Sequence, residues 1–312
     1  MRPAIVLCVL AACYHDPAPA TPVAPPPVRA PRVSAAVHDP LGYLPIDAEL
    51  VLSLDATQLR ASGLWKLLEP LISAKAGDAL GKMHTLCGVD PLQSVRQIAL
   101  GFKDLGDPIG PSGVFVVRGL DRGALLACMD RLVGTAPRVK IANGVVAVAA
   151  APGEHPAAFT FAGGSTLVAV LGPTASPEAL AAVLRSGAPL RGSPVFTELF
   201  GQIQTRRTAW FALNGNSQAF DKFAGLGFRP TAVTGSVDLT NGFTGSVRLR
   251  LDSEDHARNL VGITQGQLAP LKAMVDEIEL ASEGADVVLR VGMSEGQVKV
   301  FAGIFGGLTA GP

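Results

Sequence analysis

Four stretches of the chain set apolar, β-branched runs on either side of a short polar or glycine tip. Residues 140–142 and 145–151 flank Asn143-Gly144, and residues 158–162 and 165–171 flank Gly163-Gly164. Residues 233–240 and 243–251 flank Asn241-Gly242, and residues 277–282 and 285–291 flank Glu283-Gly284. Each pattern predicts a β-hairpin, because tight hairpin turns need positive φ at their centre and Asn-Gly or Gly-Gly adopts it readily. In the third unit Val237, Leu239, Val247, Leu249 and Leu251 alternate with Ser236, Asp238, Ser246, Arg248 and Arg250. A period of two with one polar side predicts antiparallel strands with one wet face.

Between the strands the period changes to that of a helix. Leu64, Leu67, Leu68, Leu71 and Ile72 share one face of a helix predicted over Ser62–Ile72. Leu125, Leu126, Met129, Leu132 and Val133 do the same within 121–133. Ser176-Pro177-Glu178 and Ser193-Pro194 read as helix starts, with a Ser N-cap, Pro at the first position and, in the first, an early acid. Ser253 and Ser294 are further caps. Hairpin followed by Ser-capped helix recurs after Leu171, Leu251 and Val291. The expected fold is therefore α+β, antiparallel sheet built from hairpins with helices on one side, in two weakly related halves near 44–190 and 205–308.

The first residues break this pattern. Arg2 precedes a short apolar run, Ala4–Leu10, which ends in Leu10-Ala11-Ala12-Cys13. The run is too short to span a bilayer, which takes about 20 residues, and reads as a secretory signal. It resembles the lipobox of bacterial lipoproteins: an aliphatic residue, two small ones, then Cys. That resemblance implies cleavage after residue 12, acylation of Cys13 and a membrane anchor. Tyr14 after the Cys, where Asp would favour retention, implies the outer membrane. Pro17–Arg32 then holds seven prolines in sixteen positions. Such a segment is a semi-rigid extended spacer, and the stretch from Tyr14 to about Asp39 would reach up to ~80 Å. The expected organisation is a signal peptide at 1–12, a tether at 13–41 and an α+β body at 42–312.

Composition narrows the function. Lys and Arg total 26 against 26 Asp and Glu, so the chain carries no field for steering nucleic acid, and no nucleic-acid partner is expected. Of the four Cys, Cys8 falls in the leader and Cys13 at its end, which leaves Cys87 and Cys128. In an oxidising compartment they read as a disulfide; two separately buried thiols are the alternative. His84, His155 and His256 stand apart, without metal-ligand spacing, and no Gly-x-Ser-x-Gly elbow or phosphate-binding glycine loop occurs. No catalytic, cofactor or metal residues are assigned and no cofactor is expected. Trp65 and Trp210 lie in apolar runs and read as core.

Leu44-Pro45-Ile46-Asp47-Ala48, Cys87-Gly88-Val89-Asp90-Pro91 and the strand–Gly119–helix unit carrying Cys128 together resemble a loose group of uncharacterised envelope proteins of myxobacteria and their relatives. The resemblance implies an envelope location, an α+β fold and a Cys87–Cys128 bridge, and carries no activity. The sequence thus points to a lipid-anchored, non-enzymatic binding or structural module that meets the membrane through Cys13, its protein or hydrophobic ligand unidentified. Two alternatives stand beside it: a carrier of lipid or another hydrophobic ligand, and a hydrolase whose triad assembles only in space around one of the three histidines.

Overall fold

The computed structural model describes residues 39–133, 138–151, 153–186, 190–221 and 227–300. The lipobox, Cys13 and nearly all of the Pro-rich tether lie outside the described residues. The fold is α+β, as the patterning predicts, and its contacts divide the chain into two compact units. Among the described residues, the first is assembled from those within 39–46, 73–102 and 107–191, the second from those within 47–72, 103–106 and 192–300.

In the first unit, β2 (Gln97–Lys103), β3 (Ser112–Arg118), β4 (Val139–Ala142), β5 (Val145–Val148), β6 (Ala157–Phe161) and β7 (Thr166–Leu171) lie in the order β2-β3-β7-β6-β5-β4. The pairings from β3 through β7, β6 and β5 to β4 are antiparallel. One face packs on α2 (Trp65–Cys87) and α4 (Arg122–Val133) through Met83, Leu125, Met129, Phe115, Phe159 and Phe161. The opposite face, with Val116, Val168 and Ala158 fully buried, is covered over β5, β6 and β7 by α5 (Pro177–Arg185), whose Leu180 is also fully buried, and over β3 by the 3-10 turn Pro40–Tyr43. Both faces of this sheet are closed.

In the second unit, β1 (Leu50–Asp55), β8 (Ala209–Asn214), β9 (Ala232–Asp238), β10 (Phe243–Arg250), β11 (Glu277–Glu283) and β12 (Asp286–Met293) lie in the order β11-β12-β10-β9-β8-β1. Every neighbour in that order is antiparallel. Short α1 (Ala56–Ala61), α6 (Pro194–Phe200) and α7 (Glu254–Gln265) belong to this unit; α3 (Pro91–Ser94) belongs to the first.

The local signals act as their chemistry requires. Asn143 and Gly144 both have positive φ, at 52° and 76°, and join β4 directly to β5. Ser176, Ser193, Ser253 and Ser294 each accept a hydrogen bond from the backbone N–H three residues on, satisfying one of the orphan donors at a helix start. Asp121 caps α4 in the same way, through Ala124 N–H at 2.7 Å. Two expectations change. The fourth hairpin turns at Gly284-Ala285, with Gly284 at φ +62°, because Glu283 is a strand residue paired with Asp286. The helix expected over Ser62–Ile72 begins at Trp65 and runs on to Cys87, since Ala76, Met83 and Cys87 supply a buried stripe beyond the leucine-rich start.

Candidate functional site

The register assigns every side chain of the second sheet to one of two faces. On one face α7 packs over Leu249, Val287 and Leu280 through Ala257, Leu260 and Val261. Stepping by two residues and by strand partners, the same face continues through Val247 and Leu289, then Val233 and Phe211, then Leu52 and Leu54 on β1. All of these are apolar, none is buried, and Val247 keeps 39% of its surface exposed in the middle of β10. Two glycines on this face lie under aromatic rings. A Cβ on Gly235 would fall 2.4 Å from the Phe211 ring, and one on Gly245 would fall 2.9 Å from the Phe243 ring. Both rings lie where a side chain on the glycine would stand. The result is an apolar surface spread across β1, β8, β9, β10 and β12 and only partly covered, unlike either face of the first sheet. Its exposure costs free energy in water at roughly 25 cal/mol per Å², and an open apolar surface of this kind marks a place where another apolar body sits.

The opposite face is polar over β10, β12 and β11. Arg248 donates to Asp286 at 2.8 Å and to Glu283 at 2.6 Å. Arg250 donates to Asp286 at 2.9 Å and to Glu198 of α6 at 2.5 Å. Arg290 donates to Glu279 at 3.0 Å and to Glu283 at 2.6 Å. Burial works against the charged form of Asp286, but the hydrogen bonds and charges of Arg250 and Arg248 outweigh it and hold its carboxyl below the usual Asp range. Hydrogen bonds from Arg290 and Arg248 hold Glu283 low as well. Each guanidinium of the ladder is thus committed to carboxylates within the chain. Towards β9 and β8 the same face is closed by α6, with Leu199 against Ala212 and Ala232 and Phe200 edge-on to Trp210.

The residues singled out by the sequence fall in different places. Cys87, the last residue of α2, and Cys128, in the middle of α4, form a disulfide with their Cα atoms 4.8 Å apart in the core of the first unit. His84 and His155 are exposed. His256 Nδ1 lies 2.6 Å from Asp252 Oδ1 at the start of α7. Among the described residues no Ser or Cys side chain hydrogen-bonds any of these rings, and no group of three or more His, Cys, Asp or Glu is placed to hold a metal ion. Trp210 is buried and Trp65 half-buried. Among the described residues no helix is long and apolar enough to cross a membrane. The arginine ladder and the open apolar face were not singled out from the sequence. The alternation of β10 was the available signal, and it identifies a wet and a dry side without revealing what covers either.

No family model matches the chain. No curated protein matches it in sequence. Solved structures do. A structure of TP0453 in crystal form III superposes with a TM-score of 0.54 at 12% identity, over 85% of this chain and 98% of that one. Crystal form I of TP0453 gives a TM-score of 0.51 at 12% identity, over 86% and 99%. At that identity the likeness is one of fold: the chain shares the α+β architecture of TP0453 over nearly the whole length of that protein.

Proposed function

We propose that the chain is a lipid-anchored cell-envelope protein, attached through Cys13, whose folded body is a non-enzymatic binding module. The anchor is supported by Leu10-Ala11-Ala12-Cys13 and by the Pro-rich spacer behind it. Acyl chains on Cys13 followed by such a spacer would hold a domain at a membrane while leaving it free to reach. The observation that carries the binding reading is the apolar face of the second sheet, left partly open across five strands with Val247 39% exposed at its centre. That face favours, as the form binding takes, carriage of a lipid or another hydrophobic ligand against the sheet.

The anchor is tested by growing cells with an alkyne fatty acid and attaching a fluorophore to the purified chain. The wild type takes up label and Cys13→Ala does not; label on Cys13→Ala refutes the anchor. The face is tested with N-phenyl-1-naphthylamine, whose emission rises in apolar surroundings. The wild type enhances its emission, and Val247→Lys, at a site where a lysine head reaches water, lowers the affinity at least tenfold. Equal titrations of the two proteins refute the assignment to this face.

A further inference from the structure

Most arginines of the second unit have their charge matched within the chain. Arg229, Arg248, Arg250, Arg258 and Arg290 each form an ion pair with a carboxylate. Among the described residues Arg206 and Arg207 form none. Both stand just before β8, at the end of the sheet where β1 finishes and β10 begins.

Their place follows from the ladder, which runs one residue beyond β8: Asp55 N–H donates to the Thr208 carbonyl at 2.8 Å. Thr208 is fully buried, accepts from Leu239 N–H and shares the α6 side with Trp210, two residues on. Arg207, next in the alternation, falls on the apolar side. Its guanidinium reaches β10, where Nη1 donates to the Thr244 carbonyl at 3.4 Å, between Phe243 and Gly245; Nε donates to Gln204 Oε1. Neither acceptor carries a counter-charge. Arg206 is exposed, and Gln58 Nε2 of α1 donates to its carbonyl at 3.2 Å. The carboxylates at this end are engaged elsewhere: Asp55 accepts from the Gln58 backbone and side chain, and Asp238 from Thr240 N–H. Hydrogen bonds from Thr240 and, at longer range, the charge of Arg207 hold Asp238 below the usual Asp range. The apolar face thus ends, beside Phe243, at a cation with no ion-pair partner.

We propose that the hydrophobic ligand of this face is an anionic amphiphile, its alkyl chain against Phe211, Phe243 and Val247 and its phosphate or carboxylate head on Arg207, with Arg206 beside it. The proposal rests on the apolar face being the ligand surface and adds the class of ligand. A guanidinium offers a fork of N–H donors that matches the oxygens of a carboxylate or phosphate. Next to an apolar surface such a pair is screened less than in open water. A neutral head leaves Arg207 unmatched, and a cationic head is repelled. The length also fits. From Phe243 to Val247 the strand advances roughly 14 Å, and α7 covers the sheet beyond, at Leu249. An alkyl chain laid along β10 from a head at Arg207 meets only apolar side chains and glycine over that distance.

Titration calorimetry on the full chain tests it, with decyl phosphate, decanol and inorganic phosphate as separate probes below any micelle concentration. The wild type binds decyl phosphate at least tenfold more tightly than decanol, and inorganic phosphate shows no saturable binding over the same range. Arg207→Gln lowers the affinity for decyl phosphate at least tenfold and moves that for decanol less than threefold. Arg207→Lys, which keeps the charge, keeps most of the affinity. Arg206→Gln, at an exposed side chain, gives a smaller loss in the same direction and serves if Arg207→Gln does not fold. Equal affinity of the wild type for the two decyl probes overturns the proposal and leaves the face standing, as does decyl phosphate binding unchanged in both glutamine variants. Inorganic phosphate bound as tightly as decyl phosphate marks an anion site apart from the face and overturns it too. If N-phenyl-1-naphthylamine shows no binding to the wild type, the face carries no ligand and both readings fall.

Discussion

Reduction of the Cys87–Cys128 disulfide separates the chemistry of the cross-link from the packing around it. The bridge ties the end of α2 to the middle of α4 across a sequence separation of 41 residues. In the chain-entropy treatment, closing a loop of that size removes about 13 cal/mol/K from the unfolded chain, or about 4 kcal/mol at 25 °C. Reduction leaves both sulfur atoms in place. Cys128 is fully buried and Cys87 8% exposed, so the reduced pair keeps most of its contacts in the core. The loss on reduction should therefore lie close to the entropic figure. An alanine pair should cost more, since it also removes buried sulfur and opens a cavity. The assay is native-state hydrogen exchange on oxidised and reduced wild type. The slowest amides of the first unit, on the strands carrying Val116, Val146 and Val168, should lose about a thousandfold in protection, which is 4 kcal/mol on the scale of 1.36 kcal/mol per decade. Protection that changes less than threefold on full reduction would refute the argument, because the unfolded chain would then gain nothing from losing the link.

Asp286→Asn removes the acceptor shared by Arg248 and Arg250 at a side chain only 10% exposed, and should cost about 3 kcal/mol in urea titrations near neutrality. Because the folded state holds the Asp286 and Glu283 carboxyls below their ordinary values, their contribution is complete above the ordinary carboxylate range and is lost as pH falls through the lower folded values. Unfolding midpoints measured from about pH 5 downward should thus fall steeply in the wild type and more gently in Asp286→Asn. Gly119→Ala should cost about 2–4 kcal/mol in the same titration, since φ is +107° and the new Cβ would sit 2.1 Å from the Ser94 carbonyl oxygen. Gly77→Ala, within α2 and facing open space, should instead gain about 0.5–1 kcal/mol.

What could be read from the chain follows the range of each signal. Asn143-Gly144 and the four serine caps act over two to four residues, and sequence neighbours alone decide them. Cys87 and Cys128 were legible as a pair because the other two cysteines fall in the N-terminal segment that reads as a signal and lipobox. Glu283 shows where local reading stops: its place in β11 depends on Arg248 and Arg290 from other strands, and with them the turn moves to Gly284-Ala285. The long run of α2 to Cys87 depends on the core that receives Met83. The candidate surfaces lay further out of reach. Strand order is set by which strands find each other, so nothing in Ser53 says that it lies beside Trp210, or in Trp210 that it lies beside Ser236. The open apolar face is likewise a property of six strands laid side by side and of the helices that cover only part of them.

The central claim, an anchored module that holds a hydrophobic ligand on the second sheet, is tested most directly by mass spectrometry of the chain extracted gently from its membrane. Denaturing spectra read any acyl chains covalently attached at the proposed site, Cys13, and native spectra read anything held without a bond. The wild type should show a further lipid-sized increment under native conditions that disappears on denaturation, and Val247→Lys should lose that increment while keeping the covalent one. A native mass equal to the denatured mass in the wild type would contradict the account.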